Sequence, residues 1–408
     1  MKILVRGAKE NNLKDIDVEI DDGLTVITGI SGSGKSSLVY DTIYHEARRR
    51  FLDIFTPRSS RLRLPKANVR SIKGISPAVA VDQNVLNRNP NSTLATSSGL
   101  HPFFRILYTN FGVRFCPKCS SNLEVHSEDA IIDIIRRESS KNYVSISAPI
   151  IKKAKGSHIT LLQLLKKTFD LESIKANDKI WDGIPLNPKQ YHTIEILLAE
   201  ITTKISTKEI REVVKQVYDL GSFIVKINTN EEEISLTKVR MCTDCGLWFS
   251  QLEPKYFNMF CENCKGKGCE VCLKTGLHPE AAAVRWHGKR LPELLAHSVD
   301  EISNFFENAY LPKSADRLKR EITKRIKALQ RVGLGYLTLN RSSPTLSRGE
   351  AQRVRLAIIL TSELEDMLHI LDEPSIGQHP NDVMNFLPAF RELAGPVIYV
   401  EHDRMAAA

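Results

Sequence analysis

The sequence predicts an α/β protein in which a nucleotide-binding core is interrupted by an inserted α+β domain and accompanied by a helical lobe and cysteine knuckles. Three observations predict it. Gly29-Ile30-Ser31-Gly32-Ser33-Gly34-Lys35-Ser36 is a G-x4-G-K-S loop between the strand-like Leu24–Thr28 and a helix-like run from Ser37. Far downstream, a polar turn at Ser347-Arg348-Gly349-Glu350 opens a helix-like run, and the apolar strand after it closes on Asp372-Glu373. All eight cysteines fall in four C-x2-C pairs, two of which bracket a long stretch without nucleotide motifs.

Taken in order, residues 1 to 23 alternate apolar and polar, as in Val18-Glu19-Ile20, and read as antiparallel strands with Asp21-Asp22-Gly23 as a hairpin turn. In the loop that follows, Gly29, Gly32 and Gly34 allow a tight turn whose amides, Ser31 and Ser37 among them, meet phosphate. Lys35 reaches the β/γ-phosphates of ATP and the Ser36 hydroxyl ligates Mg2+. The next helix carries Ala47-Arg48-Arg49-Arg50-Phe51, and basic residues continue through Arg58, Arg61, Arg63, Lys66 and Arg70. This stripe reads equally as a track for a nucleic-acid backbone and as a solvated helix face.

Gly74 to Gln83 is an apolar strand ending in glutamine, followed by a polar Asn-Pro-Asn-Ser-Thr loop able to cap a helix through Ser92 or Thr93. Residues 101 to 115 form an apolar helix-like run that stops at Cys116-Pro117-Lys118-Cys119. Residues 125 to 240 then mix Lys-rich helices with strands such as Tyr143–Ser147 and Ser222–Ile227, until Cys242-Thr243-Asp244-Cys245 appears. A segment entered and left through cysteine pairs predicts that Cys116, Cys119, Cys242 and Cys245 clasp its base around one Zn2+. Cys261-x2-Cys264-x4-Cys269-x2-Cys272 predicts a second zinc site, with glycines permitting the reversal between knuckles. A rival grouping, Cys242 and Cys245 with Cys261 and Cys264, has ordinary spacing but leaves Cys116 and Cys119 to find the last pair.

Beyond His278, Ile302–Phe306 and the Lys/Arg-rich Ser314–Leu329 show apolar residues at helical spacing. They predict a helical lobe carrying the Ser347-Gly349 turn, at whose helix N-terminus free N–H groups can meet a phosphate. Lys313, Arg317, Lys319, Arg320, Lys324, Arg325, Lys327 and Arg331 crowd this stretch. The strand ending in Asp372-Glu373 puts one carboxylate on magnesium and the next beside an attacking water.

The whole chain sets limits. Its 408 residues accommodate two or three domains, and 42% hydrophobic with 26% charged residues describes a globular protein. A net charge of +9 and a pI near 9.0 favour an anionic partner, nucleic acid first, against the plain alternative of a generally basic surface. No apolar run is long enough to span a bilayer and the N-terminus does not read as a signal peptide, so a cytoplasmic location and no membrane partner are expected.

The loop, the Leu346–Glu350 signature and the Asp372-Glu373 pair resemble those of ATP-binding cassette (ABC) ATPases. That resemblance implies a magnesium-sensing Gln83 and a switch histidine, His402, in Val400-Glu401-His402-Asp403. It also implies that Ser347 and Gly349 close the nucleotide site of a second ABC cassette. More narrowly, Glu10-Asn11-Asn12-Leu13-Lys14, GISGSGKSSLVYDT, the Gly74–Gln83 strand with its NPNST loop, SRGEAQRVRLA and LDEPSIGQHP resemble the UvrA family of the ABC excinuclease, over essentially the whole chain and in the N-terminal half of that family's usual polypeptide.

The resemblance implies an ATPase component of nucleotide excision repair that binds damaged duplex DNA. Ala148–Lys152 and Gln190–Ile194 look like the UvrB-binding domain, so residues 125 to 240 would dock a UvrB-like protein. The partition it supports is core 1–115, zinc-clasped insertion 116–245, signature lobe with the second knuckles 246–335, and signature, magnesium/base strand and switch 336–408. There are departures. Arg348 stands where the family has glycine, four residues replace a further DNA-contacting domain between the second knuckles, and Ala408 falls where a final strand and second cassette would follow. Either a split-protein half or a truncated form accounts for the last, with weak turnover expected from a lone cassette. Other readings of the same motifs are a self-protection ATPase acting on drug-bound DNA and an ATP-binding scaffold of negligible turnover.

Overall fold

The computed structural model describes residues 2–55, 64–81, 92–141, 143–201, 205–361, 367–373, 393 and 395–401. In chain order the elements are β1 (Ile3–Ala8), β2 (Ile16–Ile20), β3 (Leu24–Thr28), a π-helical stretch Ser37–Tyr44 running into α1 (His45–Phe55), β4 (Val69–Lys73), β5 (Ala78–Val81), α2 (Leu94–Ser97) and α3 (His101–Phe111). There follow β6 (Val113–Arg114), α4 (Glu128–Ser139), β7 (Val144–Lys155), α5 (Ile159–Lys166), β8 (Ile174–Ala176), β9 (Lys179–Ile180), β10 (Tyr191–Ile201), α6 (Thr207–Asp219), β11 (Ile224–Thr229) and β12 (Glu233–Thr237). The chain continues through α7 (Pro279–Ala282), β13 (Val284–Arg285), α8 (Leu291–Leu295), α9 (Val299–Asn308), α10 (Asp316–Arg331), α11 (Arg348–Thr361), β14 (Leu368–Asp372) and β15 (Val397–Glu401). These divide into two compact units, one of residues 1–107 with 292–408 and one of Tyr108–Leu291.

The first unit holds an antiparallel sheet ordered β2-β1-β4 and a parallel sheet ordered β3-β15-β14-β5. One apolar core joins them. Ile3, Val5, Ile20 and Ile72 from the first sheet and Leu368, Ile370, Ile398 and Val400 from the second pack with Leu38, Val39 and Ile43, which lie on the helix after the phosphate loop. That placement follows from the sequence: strands of the parallel sheet are apolar runs because helices or sheets cover both faces. The expected hairpin at Asp21–Gly23 does not form. β2 stays with β1, whereas β3 pairs in parallel with β15, so Asp21-Asp22-Gly23 carries the chain from one sheet to the other. Polarity alternation identified the strands but not their partners.

In the helical part of this unit, α10 packs against α9 and α11, and α11 reaches α2 and β5. Ile322, Ile326 and Leu329 of α10 are buried, and Phe104 meets Phe306 with ring centroids 5.9 Å apart. The polar loop after Gln83 caps a helix as expected: Thr93 accepts from the Thr96 amide. Ser97 and Ser343 hydroxyls then meet at 2.7 Å, tying this stretch to the turn before the signature.

The second unit is built on an antiparallel sheet ordered β12-β11-β7-β10-β8-β9. Helices α4 and α6 bury Ile131, Ile135, Ile210, Val214 and Val217 against Val144, Ile146, Val225 and Ile227. Both helices are started by serine, Ser127 accepting from Ala130 and Ser206 forming a capping box with Glu209. A buried Lys226 on β11 reaches Glu195 at 2.8 Å, Glu233 at 3.0 Å and Asp178 at 3.6 Å. β6 and β13 pair at the unit's point of entry and exit.

Candidate nucleotide site and cysteine clusters

The phosphate loop leaves the end of β3 and turns back through Gly29, Gly32 and Gly34, with φ of 157°, 78° and 96°. Gly34 must be glycine twice over, since its φ is left-handed and an added Cβ would lie 2.9 Å from Leu13 Cδ2. Lys35 is buried, and its Nζ donates to the carbonyls of Gly29 at 2.7 Å and Ile30 at 3.0 Å, folding the cation over the loop. Ser36 is exposed at the start of the helix. The helix then widens to π-helical hydrogen bonding from Ser37, where Thr42 Oγ1 donates to the Ser37 carbonyl at 2.7 Å. Such widening is frequent at functional sites.

The carboxylates come from the same sheet edge. β14 pairs with β15 so that Asp372 lies opposite Val400, and β15 pairs with β3 so that Val400 lies opposite Ile27. Asp372 is therefore level with the strand that launches the loop, two strand spacings or about 10 Å across the sheet. Glu373 follows with a left-handed φ of 43°, and its amide donates to the Val400 carbonyl at 2.9 Å. A non-glycine residue held in that region carries a cost that marks functional turns. Gln352 of α11 donates its side-chain amide to the Asp372 carbonyl, tying the signature helix to the carboxylate strand.

The signature turn is ordered by its own residues. The Glu350 amide donates to Ser347 Oγ at 3.2 Å and the Ser347 amide to Glu350 Oε2 at 2.7 Å, a capping box that opens α11. Loop, Asp372, Glu373, Ser347 and Gly349 thus all lie in the first unit. Gln83 and His402, like the basic residues Arg58, Arg61 and Arg63, lie outside the described residues. Gln352 escaped sequence reasoning: the pattern Ser-x-x-Glu signals the cap, but nothing in one dimension shows that this side chain reaches the Asp372 carbonyl.

The structure has the predicted cysteine grouping and not its rival: Cys116, Cys119, Cys242 and Cys245 lie together, and Cys261, Cys264, Cys269 and Cys272 lie together, each set with thiols within 4.8 Å of one another. Sγ···Sγ separations are 3.6 Å (Cys116–Cys245) and 3.5 Å (Cys119–Cys242) in the first, and 3.8 to 3.9 Å in the second. Tetrahedral zinc with bonds of about 2.3 Å needs sulfurs about 3.8 Å apart, so both sets fit that ion.

Each knuckle is a small turn with matching bonds, Ser120 N–H to Cys116 O in one and Gly246 N–H to Cys242 O in its partner. Burial pushes the Cys242 thiol up to about 12. Burial also pushes Cys119 upward, but hydrogen bonds from Ser121 and neighbouring thiols bring it down to about 7. Thiolates crowded this closely need a cation to coexist.

The chain is similar to known proteins. Residues 126–231 match the family described as the UvrA interaction domain. UvrABC system protein A of Aquifex aeolicus is 30% identical over 98% of this chain, which spans 57% of that relative's length. The protein of the same name from Staphylococcus aureus is 27% identical, with the same shares covered. The crystal structure of UvrA2 from Deinococcus radiodurans shares the fold, with a TM-score of 0.55 at 24% identity over 98% of this chain and 52% of that one. A phosphate loop and acidic strand end on one parallel sheet, with a signature helix alongside, define an ABC-type ATPase fold. Within that class the chain is similar to UvrABC system protein A, spans about half the length of the relatives it matches, and over residues 126–231 matches the UvrA interaction domain family.

Proposed function

We propose that this chain is the ATP-binding and hydrolysing half of a DNA-damage-recognition assembly in nucleotide excision repair, that it pairs with a second cassette, and that it acts in the cytoplasm. The observation that carries the reading is the shared end of the parallel sheet, where the loop after β3 and Asp372-Glu373 at the end of β14 flank the end of β15. Lys35 and the amides around Ser31, Gly32 and Gly34 hold the triphosphate. Ser36, Gln83 and Asp372 hold Mg2+, which when bound neutralises charge on the transferring phosphate. Glu373 orients or deprotonates the attacking water and His402 senses the γ-phosphate. Ser347 and Gly349 close the nucleotide site of the second cassette, so one cassette by itself turns over weakly.

The two four-cysteine sets hold zinc and stiffen the second unit. Residues 125 to 240, which include the matched interaction domain, recruit a UvrB-like protein. The matched interaction domain favours a repair role over removal of a drug from DNA, for which such a recruit has no evident use. No helix among the described residues is long and apolar enough to cross a membrane.

ATP binding and turnover, measured for the chain alone and mixed with a candidate second half, test the proposal. Lys35→Ala should abolish binding, and Glu373→Gln should retain binding while losing turnover. Turnover at the wild-type rate in Glu373→Gln would refute the assignment. Capture of a UvrB-like protein by the intact chain and not by a chain lacking residues 125–240 tests recruitment.

A further inference from the structure

The loop joining β1 to β2 crosses the phosphate loop, and none of the roles above uses it. Asn11 and Asp15 adopt left-handed φ of 51° and 57°, a conformation that short polar side chains tolerate. With the backbone so turned, two amide side chains reach the nucleotide loop and its helix. Asn12 Nδ2 donates to the Gly32 carbonyl at 2.7 Å. Asn11 Nδ2 donates to Asp41 Oδ2 at 2.7 Å and lies 3.4 Å from Ser37 Oγ. The loop is itself anchored: the Leu13 amide donates to the Glu10 carbonyl at 3.0 Å, and Glu10 Oε2 accepts the Asn68 amide at 2.6 Å. Leu13 and Asn12 press on Gly34, with Asn12 Oδ1 3.2 Å from where its Cβ would stand.

A phosphate loop works by offering amides, so its carbonyls must be turned elsewhere. Here the carbonyl of Gly29 is taken by Lys35, that of Ile30 by Lys35 and the Ser33 amide, and that of Gly34 by the Leu38 amide. The Gly32 carbonyl stands at the loop's crest, and its bond to Asn12 comes from outside the loop. Because the peptide unit is planar, fixing that carbonyl also fixes the Gly32–Ser33 plane and the turn closed by Ser33 N–H on Ile30 O at 3.2 Å.

We propose that Asn12 is a positioning residue for the nucleoside triphosphate, pinning the Gly32 carbonyl outward so that the loop is held in its anion-accepting shape before the nucleotide arrives, with Asn11 bracing the helix behind it. This rests on the reading of Gly29–Ser36 as an ATP site. Preorganisation acts on binding and not on the bond-breaking step, so its loss shows in affinity.

Asn12→Asp tests it in the full chain. It keeps the size that packs on Gly34 and Leu13, removes the amide donor and brings a negative charge to the phosphate loop. The expected result is that MgATP affinity falls at least tenfold, KM rises by a similar factor while kcat stays within about twofold, the melting temperature is retained, and amide hydrogen exchange of residues 30–34 rises without nucleotide. Asn12→Ala should fall between wild type and Asn12→Asp. Unchanged affinity and exchange in Asn12→Asp would overturn the proposal, as would a fall in kcat with KM unaltered. Should wild type bind no ATP, the ATP-site reading fails separately, and exchange of residues 30–34 alone then decides whether Asn12 orders the loop.

Discussion

The Tyr336 hydroxyl donates to Glu350 Oε1 at 2.6 Å while the other oxygen of that carboxylate takes the Ser347 amide. A largely exposed tyrosine thus anchors the residue that caps the signature helix. Burial pushes the Glu350 carboxyl up, but the Tyr336 hydroxyl and the Ser347 amide outweigh it and hold the group below its usual range. Tyr336→Phe removes one hydrogen bond to a charged acceptor and should destabilise the first unit by about 1 kcal/mol in denaturant unfolding. Paired with a second cassette, the variant should also lose turnover through a misplaced Ser347. Unaltered turnover would separate Tyr336 from the proposed composite site.

A second carboxylate supports the helix behind the phosphate loop. Glu46 is 1% exposed and takes Arg49 at 2.7 Å and Arg50 at 2.9 Å, while Arg50 also donates to the Ile72 carbonyl of β4. Its hydrogen bond with Arg49 outweighs the cost of burial, and with Arg50 adding to it the carboxyl is lowered to about 2. A depressed carboxyl stabilises the fold at pH above its unfolded value near 4.5, and this contribution is lost as pH falls through about 2. With both arginines partly exposed, about 2 kcal/mol is expected at neutral pH. Urea unfolding of Glu46→Gln should show that deficit at pH 7 and little of it near pH 2.5; a deficit independent of pH would point to packing instead.

Much of this was legible in one dimension, for identifiable reasons. The glycines of the phosphate loop, the apolar run closed by Asp372-Glu373 and the Thr93 cap are local signals whose geometry follows from residue type. The cysteine pairs bracketing residues 125 to 240 predicted the grouping that the structure has, Cys116 and Cys119 beside Cys242 and Cys245, over a rival of ordinary spacing. Strand partnership was not legible: Asp21-Asp22-Gly23 has turn chemistry whether the chain folds back or crosses to another sheet. Nor was the reach of Asn12 to Gly32, because a side-chain contact across 20 residues depends on the left-handed turn at Asn11 that aims it.

Metal removal tests the clusters. Zinc measured on the purified chain should be two per molecule, and Cys119→Ser and Cys264→Ser should each leave about one. The first unit carries none of these thiols, so a strong chelator should destroy the protection of β6 and the knuckles against hydrogen exchange while leaving β1, β4 and α1 protected. Loss of protection throughout would show that the two units fold as one.

Nucleic-acid binding is the remaining test, and the basic face of α10 is the candidate surface. Ile322, Ile326 and Leu329 point its apolar side inward, while Lys319, Arg320, Thr323 and Lys327, at helical spacing, line a shallow exposed groove. Lys319, Arg320 and Lys327 form no ion pair among the described residues, so their charge is available to a polyanion. Each phosphate contact that such a residue makes releases condensed counterions, and its loss lowers the slope of log affinity against log salt by about 1. The triple variant Lys319→Glu, Arg320→Glu, Lys327→Glu should therefore weaken duplex binding at least tenfold at moderate salt and flatten the salt dependence by two to three, about one per contact. Its thermal unfolding should stay close to wild type, because Arg320 and Lys327 are exposed and Lys319 is only half-buried. An unchanged salt slope would identify this face as merely solvated and move the search for the nucleic-acid track to the basic residues after the phosphate loop.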